Sequence, residues 1–586
     1  MSEAAPALVE LTAGGVRWRI RAEHRERLLG PDGLRLAEWL SAGLAETVKH
    51  GPHRTVYRVT LPGLSFYVKH YRLQDLRAWL RELVCPSKAR IEYDQSFVVA
   101  ARGVPTFVPL AIGECCDRPG PNDTFLITQA LEGAEPLNRF LDHTLLHLDP
   151  RRQTRLRQQL AASLGELVAK MHDAGIRHDD LHAGNLLVRL SADGRPELFL
   201  IDLHAVRVGA PLDWRASRAN LILFNRWCVM RVGRTDRLRF WRAYYQARQV
   251  ADWPRGRGGV ARALFRARVH QLERGTWRSN LRFWRNRDRR CLASNRYYRQ
   301  LHSPAVVGHA VADLDAAVLR PLLADPDEPF RRSEAVVLKN SRSSTVAELT
   351  VPMGGQMRRV IYKRFRVKSW TVPWASLVCL TPALRSWYFG HGLLERGVAT
   401  ARPLAVLHRR RRGLYHEGYL LTEMIPDALE LNRHVAALDA LAPLPRRRAL
   451  RSCIDRVARL VRELHRRHLS HRDLKAVNIL VASESGSSPV AGHWPLAAPS
   501  VWLIDLVGVH RHRRLPRARR VQNLARLHAS FCRDPALTRT DKLRFLRTYL
   551  QWGLRGKEGW KQWWRDIEAA TRAKVARNAR RGRPLA

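Results

Sequence analysis

Two related phrases in this chain hold the residue types that phosphoryl transfer needs: "HDDLHAGN" at residues 178–185 and "HRDLKAVN" at residues 471–478. Each sets an aspartate five positions ahead of an asparagine, Asp180 with Asn185 and Asp473 with Asn478. An aspartate can accept the proton of an attacking hydroxyl, and an asparagine oxygen can ligate a divalent cation. Further along, "LFLIDL" delivers Asp202 and "VWLIDL" delivers Asp505, each after four mostly apolar residues. A carboxylate at the end of a buried strand, beside an asparagine on the neighbouring hairpin, makes a two-oxygen Mg2+ site.

Other residues would serve the same chemistry from a distance. "FYVKHY" and "VIYKRF" alternate as strands and carry Lys69 and Lys363. A lysine on a strand that precedes a helix can grip phosphate. Glu92 lies 23 residues after Lys69 in the helix-like "KARIEYDQSFVVAARG" and can hold that lysine in place. Taken alone, Glu92 reads as an ordinary surface-helix glutamate. The matching position after Lys363 is Ser386, so Lys363 needs another acid, with Glu395 the nearby candidate.

These groups must be positioned twice, because the whole arrangement recurs. Lys69 and Lys363 are 294 residues apart, as are Gly103 and Gly397 in "ARGVPTFVPLAIG" and "ERGVATARPLAVL". Asp180 and Asp473 are 293 apart, Asp202 and Asp505 are 303 apart, and Asp236 and Asp541 are 305 apart. Ordered phrases at nearly constant offset mean two homologous domains, expected at 1–300 and 301–586. The Pro- and Asp-punctuated stretch 301–329 is the expected junction. The drift in offset comes from "ASESGSSPVAGHWPLAAPS" (482–500), a Ser/Gly/Pro/Ala surface loop where the first copy has only "SADGRP". Each copy reads as strands, then a helix, then a long helix with apolar residues at three- and four-residue spacing that leads into the His-x-Asp phrase.

The order of lysine strand, helix, HxDLxxxxN phrase and I-D-L strand resembles the protein-kinase-like fold. The details "ARGVATARPLAV", "IDLVGVHR" and "TRTDKLRFLRTYL" resemble bacterial lipopolysaccharide core kinases, the Kdo and heptose kinase family. The resemblance covers most of both halves. It implies an α+β fold of two tandem bilobal domains, each with a small antiparallel β N-lobe and a mainly helical C-lobe. It also implies transfer of the ATP γ-phosphoryl to a sugar hydroxyl of a lipid-linked glycan. On this resemblance Asp180 and Asp473 are the catalytic bases, and Asn185, Asp202, Asn478 and Asp505 hold Mg2+. Lys69 and Lys363 contact the ATP phosphates, Glu92 pairs with Lys69, and backbone near Gln129–Leu131 and Glu423–Ile425 meets adenine. Rival readings are a protein serine/threonine kinase, and a pair in which one domain only binds nucleotide and scaffolds the other. Three departures stand out. Neither lysine is preceded by a Gly-x-Gly-x-x-Gly loop, the second domain lacks the helix glutamate, and Asp179 replaces the arginine of His-Arg-Asp.

Composition narrows the partners. The 586 residues carry 102 Lys and Arg against 53 acids, a net charge of +49. An anionic partner follows: a phosphorylated substrate, an anionic membrane surface or nucleic acid; a GC-rich genome that inflates arginine is the bland alternative. The Trp–Arg alternation at 277–290 lacks any nucleic-acid motif, which argues against nucleic acid. Basic clusters stand at 408–413, which reads as a hairpin tip, at 511–520, which either lines the acceptor site or is a solvated face, and in the tail 572–583. The Trp-rich stretch 369–387 fits either a membrane interface or burial against a neighbouring domain. Eight scattered cysteines form no zinc spacing and fit a reducing, cytosolic setting. No secretory signal or spanning segment is read, so the expected location is cytoplasmic or peripheral at the inner face of the cytoplasmic membrane.

Overall fold

The computed structural model describes residues 7–73, 76–117, 119–249, 259–367, 371–482, 500–532, 534, 537–550 and 559–582. The chain divides into two compact units, Met1–Asn280 and Leu281–Ala586. The division precedes the expected 300/301 junction for a physical reason. Strand Tyr298–His302 is the edge of the second unit's sheet, and Val306–Val311 pairs beside it. The stretch 301–329 is therefore folded into a core rather than being a linker, with Val306, Val311, Leu314 and Leu319 buried. Of the Ser/Gly/Pro/Ala loop expected at 482–500, residues 483–499 lie outside the described residues.

Each unit begins with a seven-stranded antiparallel sheet of the same strand order. In the first the order is Leu8–Ala13, Val16–Arg21, Pro109–Cys115, Thr124–Gln129, Leu64–Tyr71, Arg54–Leu61, Ala45–Lys49. In the second it is Tyr298–His302, Val306–Val311, Pro403–Arg411, Leu414–Glu423, Gln356–Phe365, Ser344–Met353, Val336–Asn340. Period-two alternation sets the faces. Leu64, Phe66 and Val68 are buried on one side, which puts Lys69 on the other.

A helix crosses each sheet. Lys88–Ala101 starts at Ser87, whose side chain accepts from the Arg90 amide. Pro382–Glu395 starts at Thr381, which accepts from the Leu384 amide. Such caps contribute on the order of 1 kcal/mol and fix where the first turns begin. Both helices end in a left-handed glycine, Gly103 (φ 74°) and Gly397 (φ 65°). The following valine amides, of Val104 and Val398, bond back to Val99 and Leu393. That helix stop explains why "RGV" recurs.

The helical lobes are built around Pro150–Asp173 and Pro443–Arg466, whose apolar faces form the two largest cores. A buried polar chain of four residues at the end of each long helix escapes sequence reading. Arg248 donates to the Tyr244 hydroxyl (2.6 Å), and that hydroxyl meets His172 Nδ1 at 2.9 Å. His172 Nε2 meets Asn220 Oδ1 at 3.1 Å, and Asn220 donates to His178 O (2.6 Å). In the second unit Arg520, Tyr549, His465 and Asn523 repeat the chain, and Asn523 accepts from the His471 amide (2.9 Å). Each four-residue chain thus ties its long helix to the strand that opens the HxD phrase. No described helix is long and apolar enough to cross a membrane.

Burial pushes His172, His465, His391 and His408 down to about 3, so all four are neutral in the folded chain. Their folded values lie below the unfolded value of 6.5, so their contribution is complete above pH 6.5 and is lost as pH falls from there toward 3. Urea unfolding monitored by circular dichroism between pH 7.5 and 5 should show stability falling, by on the order of 1 kcal/mol per pH unit per histidine. A flat profile would contradict the neutral state of these four histidines.

Candidate active site

The HxD phrases form the same loop twice. In the first unit His178 Nδ1 accepts from the Asp180 amide (3.2 Å), and Nε2 donates to Ile201 O (3.2 Å). In the second, His471 accepts from the Asp473 amide (3.1 Å) and donates to Asp505 O (3.1 Å). Burial lowers the pKa of both rings, which keeps Nδ1 an acceptor. The histidine therefore staples the catalytic loop to the strand that delivers the next carboxylate.

Asn185 donates its Nδ2 to Asp180 O (2.9 Å), and Asn478 does the same to Asp473 O (2.8 Å). Each amide thus uses its Nδ2 inside the loop, and its Oδ1 is the atom that could serve a cation. Asn185 O accepts from the Ile201 amide at 3.0 Å, and Asn478 O from Ile504 at 2.9 Å, which brings Asp202 and Asp505 alongside. Both aspartates are left-handed, at φ 60° and 54°. The reversal turns the carboxylate out of the strand line and starts the tight turn that follows. An asparagine oxygen plus a carboxylate is a hard, all-oxygen pair that suits Mg2+. Asp180 is 73 % exposed and Asp473 48 % exposed, so both carboxylates are open to a ligand from solvent.

The two units differ around the lysine. In the first, Lys69 Nζ lies 2.6 Å from Glu92 Oε1 and 3.9 Å from Asp202. Glu92 is fully buried and its other oxygen accepts from the Tyr71 hydroxyl (2.8 Å). Glu92 is therefore no surface-helix residue. In the second, Lys363 reaches Asp505 directly (2.9 Å). Ser386 is buried and bonds to Pro382 O within its own helix, while Glu395 pairs with Arg287 at 3.1 Å. Glu395 does not take the place of the missing glutamate.

Four residues were not found by motif: Arg54, His182, Lys475 and His204. Arg54, at the start of the strand after "KHGPH", pairs with Asp202 at 3.0 Å, and Ser344 occupies its register in the second sheet. Next to each catalytic aspartate stands a basic group, His182 at 3.6 Å from Asp180 and Lys475 at 3.3 Å from Asp473. The only sequence signal was their place two residues after the aspartate. Near Asp202, His204 joins Glu92 in a trio whose ligand atoms lie within 4.8 Å of one another, and Val507 replaces it in the second unit. Burial alone would raise the Asp202 pKa, but Lys69 and Arg54 outweigh it and hold the carboxyl down at about 2. For Asp505 burial again opposes, and Lys363 lowers the value.

At the cleft's back edge the Gln129 amide donates to Val108 O and the Glu423 amide to Arg402 O, both at 2.9 Å. The basic clusters divide between structure and surface. The 408–413 cluster is a hairpin tip turning at Arg412 and Gly413, with His408 buried and Arg409 paired with Asp325 and Asp327. In 511–520, Arg511 pairs with Asp288, Arg517 with Asp566 (2.7 Å) and Arg520 with Tyr549 (2.7 Å), so half of the cluster's basic groups hold the fold. In 277–290, Trp284 is buried and Arg287 pairs with Glu395.

The profile of the Lipopolysaccharide kinase (Kdo/WaaP) family matches residues 76–244 and 374–549, one segment in each unit. The chain belongs to this family. A lipopolysaccharide core heptose(I) kinase WaaP of Pseudomonas aeruginosa is 31 % identical over 175 residues, 30 % of this chain and 61 % of that protein. The Escherichia coli K12 heptose(I) kinase WaaP is 26 % identical over 203 residues, 33 % of this chain and 74 % of that protein. A solved structure titled WaaP in complex with acyl carrier protein aligns with 41 % of this chain and 91 % of its own at 22 % identity, with a TM-score of 0.29. The matched relatives are thus covered only in part, about three-fifths of the first. Both Kdo/WaaP segments contain an HxD loop, an Asn and an I-D-L aspartate, whereas both site lysines fall ahead of them.

Glu92→Gln keeps the volume but removes the charge that anchors Lys69. It should lower kcat/KM for ATP in the first unit by about 10–100-fold, a change on the order of 1–3 kcal/mol. Steady-state kinetics in an Asp473→Asn background isolates that unit. An unchanged kcat/KM would remove the ion pair from the mechanism.

Proposed function

We propose that the chain is an ATP-dependent phosphotransferase that phosphorylates a sugar hydroxyl of a lipopolysaccharide core or similar glycolipid. The observation that carries this reading is the Asp–Asn–Asp set, held by the same histidine staple in both units of a chain from the Kdo/WaaP family. ATP is the donor expected for a kinase family. Mg2+, when bound, would supply Lewis-acid charge that offsets the negative charge of the phosphates.

The chain's own residues divide the remaining work. Asp180 or Asp473 orients the acceptor hydroxyl and takes its proton. Asn185 with Asp202, and Asn478 with Asp505, would hold the cation. Lys69 and Lys363 contact phosphate, and in the first unit Arg54 adds a second cation beside Asp202. The inward-bonded amides of Gln129 and Glu423 leave their carbonyls for adenine, with Leu131 and Ile425 as the next backbone donors. A glycolipid acceptor places the working protein at the inner face of the cytoplasmic membrane.

The first unit has every part of this set, so Asp180→Asn should lower transfer to extracted glycolipid by about 10²–10⁴-fold. Asp473→Asn, assayed in parallel by mass spectrometry of the product, reports the second unit's share. If neither substitution changes phosphate incorporation, or if only added protein is phosphorylated, the reading fails.

A further inference from the structure

The segment between the lysine strand and the crossing helix is repeated along with the site, yet it belongs to no core. It reads "LRAWLRELVC" at 76–85 and "TVPWASLVC" at 371–379. Leu83, Val84 and Cys85 recur as Leu377, Val378 and Cys379 at an offset of 294, the offset of the two site lysines. Leu76, Leu80 and Leu83 are exposed in the first unit, and Val84 is 83 % exposed. Trp374 and Leu377 are exposed in the second, and Val378 is 87 % exposed. Clustered exposed apolar side chains at one place in a fold mark a contact surface.

We infer that these two apolar tips dock the chain on an anionic phospholipid bilayer. The charge around them fits that partner. Residues 72–90 carry five Lys and Arg against two acids, and residues 366–385, beyond the Asp505-paired Lys363 and the Asp327-paired Arg364, carry three against none. Leucine and valine can enter the headgroup boundary, tryptophan settles at it, and a basic rim meets anionic lipid. Each tip runs straight into the helix that crosses the sheet, capped at Ser87 or Thr381. In the first unit that helix carries Glu92, so a docked tip sits one short helical run from the phosphate lysine. The biological use of the tips rests on the glycolipid-kinase reading, but lipid binding is measurable without ATP or acceptor.

The test is flotation of the full chain with vesicles of phosphatidylethanolamine and phosphatidylglycerol, and with phosphatidylcholine vesicles as the neutral control. The variant joins Leu83→Asp, Val84→Asp, Leu377→Asp and Val378→Asp, all at exposed positions, and Leu444→Asp controls for an exposed leucine elsewhere. Wild type and Leu444→Asp should float with the anionic vesicles. The four-site variant, with unchanged circular dichroism, should lose binding by about tenfold or more. It should still transfer phosphate to a soluble, delipidated core saccharide. Asp180→Asn should float like wild type whatever its activity, which separates failure of this inference from failure of the kinase reading. Equal flotation of the four-site variant, or no flotation of wild type, overturns the inference. A shift from dimer to monomer in the variant with flotation unchanged also overturns it, and assigns the tips to a second copy of the chain.

Discussion

The site depends on keeping an ionised carboxylate at the end of a buried strand. Asp202 and Asp505 each follow four mostly apolar residues and stand in the left-handed region, a conformation that disfavours side chains other than glycine by on the order of 1 kcal/mol or more. Three contacts hold that geometry. The HxD histidine donates to the strand's last carbonyls, the metal-loop asparagine accepts from the preceding isoleucine amide, and a lysine supplies opposite charge. Remove the positive charge and burial would push the carboxyl toward neutrality, with the loss of a cation ligand.

That constraint reaches back through the fold. The histidine is held by a strand whose backbone bonds an asparagine, which bonds a buried histidine on the long helix, which bonds a tyrosine gripped by an arginine. The chain of contacts is the same in both units. It makes the catalytic loop an extension of the helical core rather than a free loop, so the aspartate stays exposed on a rigid support.

The units part company at the lysine. Lys69 shares its charge between the buried Glu92 and Asp202, and Lys363 rests on Asp505. Lys69 thus keeps a carboxylate partner besides Asp202, whereas among the described residues Lys363 is paired with the carboxylate of Asp505 alone. The same helix position, glutamate or serine, sets this difference.

Much of this was readable in the chain alone. Spacing pointed to Asp180, Asn185 and their copies because the bonds within the HxD phrase join residues two and five apart, while Asp202 and Asp505 were marked by the apolar run ahead of each. The repeat announced two units because paired phrases at constant offset need no structure to be seen. The lysine–glutamate pair was legible only as a possibility, since a strand and a helix 23 residues apart meet only once folded. What tertiary structure decided was everything that depends on distant partners. It placed Arg54 on Asp202, 148 residues away, and put Lys363 on Asp505 instead of Glu395. It moved the unit division ahead of strand Tyr298–His302 and consigned half of the 511–520 basic groups to structural pairing. It also left the twin apolar tips uncovered. Local spacing fixes which groups share a loop, but burial and long-range pairing depend on which surfaces the packed core brings together or leaves out.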